Sequence, residues 1–171
     1  MAVYNVHERL LHAKASEIGT LIDSLAGPTD SLWPTGAWPA MELDRGLSVG
    51  SKGGHGPVRY TVTAYVPGTW VRFTFTGPRG FNGFHELAVL PVDEERTVLR
   101  HTLAMRTTGP ARLTWPLAFR HLHDALLEDA LDRAEGPTRG ARWTPYVRLL
   151  RSLASRRGRG RGGVSSGTKT R

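Results

Sequence analysis

Between Val58 and Met105 hydrophobic residues recur at every second position, and glycine and proline mark the breaks between runs. Val58, Tyr60, Val62 and Ala64 alternate with Arg59, Thr61, Thr63 and Tyr65. After Pro67-Gly68, Val71, Phe73 and Phe75 alternate with Trp70, Arg72 and Thr74. Residues 84–91 and 96–106 carry Leu87 and Val89, then Leu99, Leu103 and Met105, on either side of a turn at Asp93-Glu94-Glu95. A period of two sends alternate side chains to opposite faces of a sheet. Four such strands joined by short turns predict an antiparallel meander with one apolar face. Burying the apolar positions contributes on the order of 20 to 30 kcal/mol of gross driving force at roughly 1.5 to 3 kcal/mol each.

That face needs a cover, and the long amphipathic segment able to supply it is residues 116–135. Phe119, Leu122, Leu126, Leu127, Ala130 and Ala134 make its apolar stripe, opposed by Arg120, Asp124, Glu128 and Asp132. Pro116 has no N–H to bond to Arg112, so a break is expected there, with Pro116 as the first residue of the helix. Nearer the N-terminus, Ile18, Leu21, Ile22 and Leu25 fall at helical spacing, with Ser16 as the expected N-cap and Gly27-Pro28 as the stop. Residues 28–40 are crowded with Pro, Gly and Trp and suit a short helical turn in an irregular segment. Residues 3–12 are strand-like, with the inward phase left open by the adjacent Leu10 and Leu11.

The formal charge of +8 is unevenly spread. Residues 1–138 hold 13 Lys and Arg against all 15 acidic residues, a net of −2, and the remaining 33 residues carry +10. The basicity therefore belongs to a tail, and the body has no general attraction for polyanions. Residues 1–138 are expected to form one domain, 139–155 to suit a short amphipathic basic helix, and 156–171 to be a disordered basic tail. Such a tail is a candidate for weak contact with anionic lipid or nucleic acid. With no cysteine, disulfides and thiolate chemistry are excluded. No run approaches the roughly 18 apolar residues of a membrane span, and the N-terminus lacks the order of a secretory signal. The chain reads as soluble and cytoplasmic, without a transmembrane segment.

Gly53, Gly54 and Gly56 invite a phosphate-loop reading, but Lys52 is followed by glycine and then by a strand. A phosphate loop needs Ser or Thr after the lysine and a helix whose amides hold the anion. These glycines are expected to turn the backbone at a sheet edge.

Three histidines break the apolar pattern from inside. His85 shares the parity of Leu87 and Val89, His101 that of Leu99 and Leu103, and His123 lies within the helical stripe. A turn centred on Glu94 sets His101 opposite Leu87 and His85 opposite Leu103, as diagonal neighbours. Buried without partners, such groups would cost roughly 1 to 3 kcal/mol apiece. They could bond to Tyr60, to backbone or to buried water. They could instead be the polar points of an apolar ligand cavity. A three-histidine metal site is chemically reasonable, but no carboxylate is evidently placed as an outer partner, and no metal or cofactor is expected.

The stretches GGHGPVRYTVTAYVPG, VRFTFTGPRGFNGFHEL, TVLRHTLAMRT and WPLAFRHLHDALLEDALDRAE resemble bacterial members of the START-like superfamily, also called SRPBCC, which includes Bet v 1-like proteins and polyketide cyclases. The resemblance implies an α+β helix-grip fold: a curved antiparallel sheet wrapped around a long C-terminal helix, with two short helices after the first strand. It implies binding of a hydrophobic or aromatic small molecule in an internal cavity, or a cyclase or dehydratase using histidines as general acid and base. Candidate ligand contacts are Tyr60, Val62, Phe73, Phe75, His85, Leu87, His101, Leu103, Met105, Phe119, His123 and Leu127. The catalytic candidates are His85, His101 and His123.

Overall fold

The alternating segments pair as one antiparallel sheet in a computed structural model that describes residues 1–136 and 142–159. The strands are β1 (Ala2–Leu11), β2 (Glu42–Leu43), β3 (Lys52–His55), β4 (Val58–Val66), β5 (Trp70–Gly77), β6 (Phe81–Pro91) and β7 (Thr97–Thr107). Their spatial order is β1-β7-β6-β5-β4-β3-β2. The expected meander is β4 to β7, and its last register is the one a turn centred on Glu94 requires, with Leu87 opposite His101 and His85 opposite Leu103. The sheet is wider than the meander. β1 returns beside β7, with Ala2 opposite Arg106 and Leu11 opposite Thr97, and β2 and β3 extend the far edge.

Gly53 and Gly54 lie within β3. A Cβ on Gly53 would overlap the carbonyl of Glu42, and one on Gly54 would overlap that of Val58, so the β2, β3 and β4 backbones approach more closely there than a side chain allows.

One parity changes along β4. A bulge between Val62 and Ala64 leaves Val62 opposite Phe73 but puts Ala64 opposite Arg72 and Tyr65 opposite the buried Val71. One extra residue on one strand reverses the phase beyond it. Ala64 therefore leaves the expected apolar face, and Tyr65 takes its place and donates its hydroxyl to Asp23 at 2.8 Å.

Helix α1 (Ala15–Asp23) buries Ile18 and Ile22, and Leu25 just beyond it is also buried. Ser16 lies inside the first turn instead of capping it; Lys14 holds the N-cap position in an extended conformation. The helix that covers the sheet starts just after Gly109-Pro110 and is not broken at Pro116. α2 (Ala111–Thr114) widens into a π-helical turn over Trp115–Phe119 and continues as α3 (Arg120–Glu135). Arg120 N–H bonds to Trp115 O, and this wider turn accommodates Pro116 within the helix. Leu126, Leu127, Ala130 and Leu131 form the buried stripe of α3. At the other end Phe81, Leu103, Met105, Ala111 and Trp115 pack together, with Val3, Phe75 and Phe119 against them.

The chain divides into two units, residues 1–140 and 141–171. In the second, α4 (Pro145–Arg159) is preceded by Thr144, whose Oγ1 accepts from Val147 N–H at 3.2 Å. The helix extends four residues into the segment expected to be disordered, while residues 137–141 and 160–171 lie outside the described residues. Among the described residues no helix is long and apolar enough to cross a membrane.

Candidate functional site

His85 and His101 project from neighbouring strands onto the inner face, and their rings meet with Nδ1 of His85 3.2 Å from Nε2 of His101. The strand pairing that sets His85 opposite Phe73 also stacks the two rings, with centroids 4.9 Å apart, and Phe75 stacks on His85 at 5.2 Å. Tyr60 meets the same imidazole edge-on at 5.0 Å. From His101 the contacts continue to His123 on α3 at 5.0 Å and from there to His7 on β1 at 5.8 Å. At the opposite end His55 lies 3.2 Å from the Tyr60 hydroxyl through Nδ1 and packs on Trp33. A chain of rings thus runs His55, Tyr60, His85, His101, His123, His7 across the interior.

Burial sets the charge along this chain. It holds His85 and His101 well below the ordinary histidine value, lowers His55 to about 3, and lowers His123 against the opposing pull of Asp124. Burial also raises the Tyr60 phenol, so it stays protonated. These imidazoles are neutral near pH 7, each with one donor and one acceptor nitrogen. Yet His85 Nε2, His101 Nδ1 and both nitrogens of His123 are buried without a hydrogen-bond partner, as is Asn5 Oδ1.

His7 differs in kind. Its Nε2 is 3.1 Å from Asp124 Oδ1 and its Nδ1 is 2.9 Å from Glu128 Oε1. The Asp124 bond, partly opposed by burial and aided by Glu128, raises its pKa. Burial pushes Asp124 up, but His123 and His7 outweigh it and hold the carboxyl well below the usual carboxylate range. On either side of His7, Asn5 Nδ2 donates to Asp124 at 3.1 Å, and Arg9 bonds to Glu128, Asp132 and Glu135 at 3.0, 2.8 and 2.7 Å. The inner side of β1 is therefore polar and grips the acidic side of α3. His7, Asp124 and His123 each place one donor atom within 4.8 Å of the other two.

The twelve candidate contacts from sequence divide by remaining surface. Tyr60, Val62 and Phe73 are 0% exposed and Leu103 is 1% exposed, so their surface is taken up by neighbouring side chains. His85, Leu87, His101, Met105 and Leu127 retain between 3% and 8%, while Phe75, Phe119 and His123 are partly buried. The structure adds His7, His55, Asn5, Asp124 and Glu128. The alternation of β1 carried the missing signal, but with reversed polarity: Tyr4, Val6 and Leu10 are the exposed set. A separate open depression of about 610 Å³ lies between the start of α1 and the β6–β7 turn, lined by charged residues including Lys14, Glu17, Glu94 and Arg96.

No family model and no curated protein matches the chain. Solved structures do. A truncated norcoclaurine synthase from Thalictrum flavum superposes with a TM-score of 0.59 at 17% identity, over 77% of this chain and 91% of that one. CalU16 from Micromonospora echinospora gives 0.57 at 17% identity over 93% and 86%. A protein from Nitrosospira multiformis gives 0.58 at 17% identity over 86% and 99%. At such identities the likeness is one of architecture: this chain has a Bet v 1-like helix-grip fold.

Proposed function

We propose that the chain binds a small aromatic or otherwise apolar molecule bearing a hydroxyl or carbonyl group, held between the inner sheet face and α3. The observation that carries this reading is the set of buried imidazole nitrogens on His85, His101 and His123 that no protein group satisfies. A ligand oxygen meeting them would remove a desolvation cost of roughly 1 to 3 kcal/mol per atom. Phe75, Phe119, Leu87, Met105 and Leu127 supply apolar contact, and a few convergent polar atoms amid such walls are the usual composition of a small-molecule site. Norcoclaurine synthase, which shares the fold, has been solved with dopamine and hydroxybenzaldehyde bound. That supports an aromatic ligand class here. Native mass spectrometry of freshly purified protein tests the reading: it predicts a co-purifying organic molecule at one per chain, released on denaturation, or specific uptake from a panel of hydroxyaromatic compounds. No uptake from the panel would refute it.

Binding is favoured over acid–base catalysis by His85 and His101. A general base works best with a pKa near the operating pH, and burial holds both imidazoles well below theirs.

A second reading concerns α4 alone. Tyr146, Leu149 and Leu153 are exposed on a helix that also carries Arg148 and Arg151, a composition suited to an anionic lipid surface. Co-sedimentation with vesicles containing phosphatidylserine, lost in Leu149→Asp and weakened by salt, is the expected result; indifference to both would remove it.

A further inference from the structure

We infer that His7, His123 and Asp124 form a site for a divalent transition ion of the zinc class, at the junction of β1 and α3. It shares the buried nitrogens of His123 with the proposed organic ligand site, and the donor geometry that carries it is separate from that reading. Two imidazoles and one carboxylate are a donor set that zinc takes, leaving a fourth position for water or a ligand oxygen. His7 Nε2 lies 3.1 Å from Asp124 Oδ1, and His123 Nδ1 lies 3.5 Å from the same oxygen. Donors bound at about 2.1 Å around one tetrahedral centre stand roughly 3.4 Å apart. The third separation stays within 4.8 Å, so side-chain adjustment alone closes the set.

His123 supplies the independent indication, because neither of its ring nitrogens has a hydrogen-bond partner although both are buried. An ion would satisfy one of them. The outer arrangement is also that of a metal centre. Metal-bound histidines usually give their second N–H to a carboxylate that fixes the ring, and His7 Nδ1 is 2.9 Å from Glu128 Oε1. Glu128 is itself held by Arg9 at 3.0 Å. The other neighbours of the carboxylate are Asn5, at 3.1 Å, and the guanidinium of Arg120, 3.7 Å from Asp124 Oδ2 and more exposed. The ring of His101 stands 5.0 Å from that of His123, so the cluster adjoins the interior imidazoles.

The test uses the full chain stripped of metal by a chelator. Calorimetric titration with zinc chloride is expected to show one ion per chain at micromolar or tighter affinity. Cobalt(II) chloride should develop the visible absorption of a four-coordinate ion, and added zinc should bleach it. Asp124→Asn and His123→Ala should each abolish that absorption. Glu128→Gln, which leaves all three donors in place, should weaken affinity by about 10- to 100-fold. His12→Ala, an exposed histidine outside the cluster, should change neither readout. Circular dichroism of each variant separates loss of a donor from loss of fold, and Asp124→Asn carries the test if His123→Ala does not fold. Absence of zinc heat and cobalt absorption, or absorption that survives both donor substitutions, would overturn the assignment.

Discussion

His85 and His101 face each other nitrogen to nitrogen at 3.2 Å, from strands whose backbone register sets them as diagonal neighbours. Both rings are neutral, so one must donate and the other accept, and each fixes the tautomer of its partner. Replacing either by phenylalanine strands the other nitrogen. His101→Phe and His85→Phe are each expected to lose about 1 to 3 kcal/mol in urea unfolding. The double variant should lose clearly less than the sum, because it leaves neither nitrogen of the pair. Additive losses would show that the contact is not a hydrogen bond.

Acid should destabilise the fold through buried histidines. His55 and His85 have pKa values depressed by burial, His55 to about 3, whereas in the unfolded chain they titrate near ~6.5. Below that value the unfolded state binds more protons, so stability is complete above about pH 6.5 and falls as pH drops toward the folded value. The loss is about 1.4 kcal/mol per pH unit for each such group. Urea midpoints between pH 7.5 and pH 5 should fall accordingly, and a flat profile would mean that these rings open to water.

Arg9 ties β1 to the end of α3 through three carboxylates. Two of these partners are more than half exposed, which discounts each pair to about 0.2 to 1 kcal/mol. Arg9→Met should therefore cost about 1 to 2 kcal/mol in total, shrinking in high salt. Hydrogen exchange should quicken over residues 128–135 first. Unchanged exchange there would separate the ion pairs from the anchoring of the helix.

A close backbone contact underlies the placement of α1. Gly19 lies against Gly68 of the β4–β5 turn so closely that an added Cβ would overlap its backbone. Gly19→Ala, favourable for helix propensity alone, is expected to destabilise by about 1 to 3 kcal/mol through overpacking. A stabilised variant would show that the helix can shift freely.

The meander is legible in the sequence because four strands alternate cleanly and Glu94 centres the last turn, which places His85 and His101 as neighbours. His7 was not legible for a physical reason. An edge strand whose inner side faces charged helix residues inverts the usual apolar-in pattern, so Asn5, His7 and Arg9 look like a solvent face in sequence. Asp124 and Glu128 oppose the apolar stripe of α3 in sequence, although they meet that strand. At Pro116 the rule against proline in a helix met a widened turn that removes the clash, and at Ala64 a bulge changed the phase. Both adjustments depend on local backbone geometry that composition does not encode.

The proposal that interior imidazoles receive a small molecule is tested most directly by histidine-selective 15N NMR during titration with 2-naphthol, a hydroxyaromatic probe. Saturable shifts of the ring nitrogens of His85, His101 and His123, with exposed His12 unmoved, are the predicted result. Shifts confined to His12 or other surface positions, or no saturable change in the three interior rings, would contradict it.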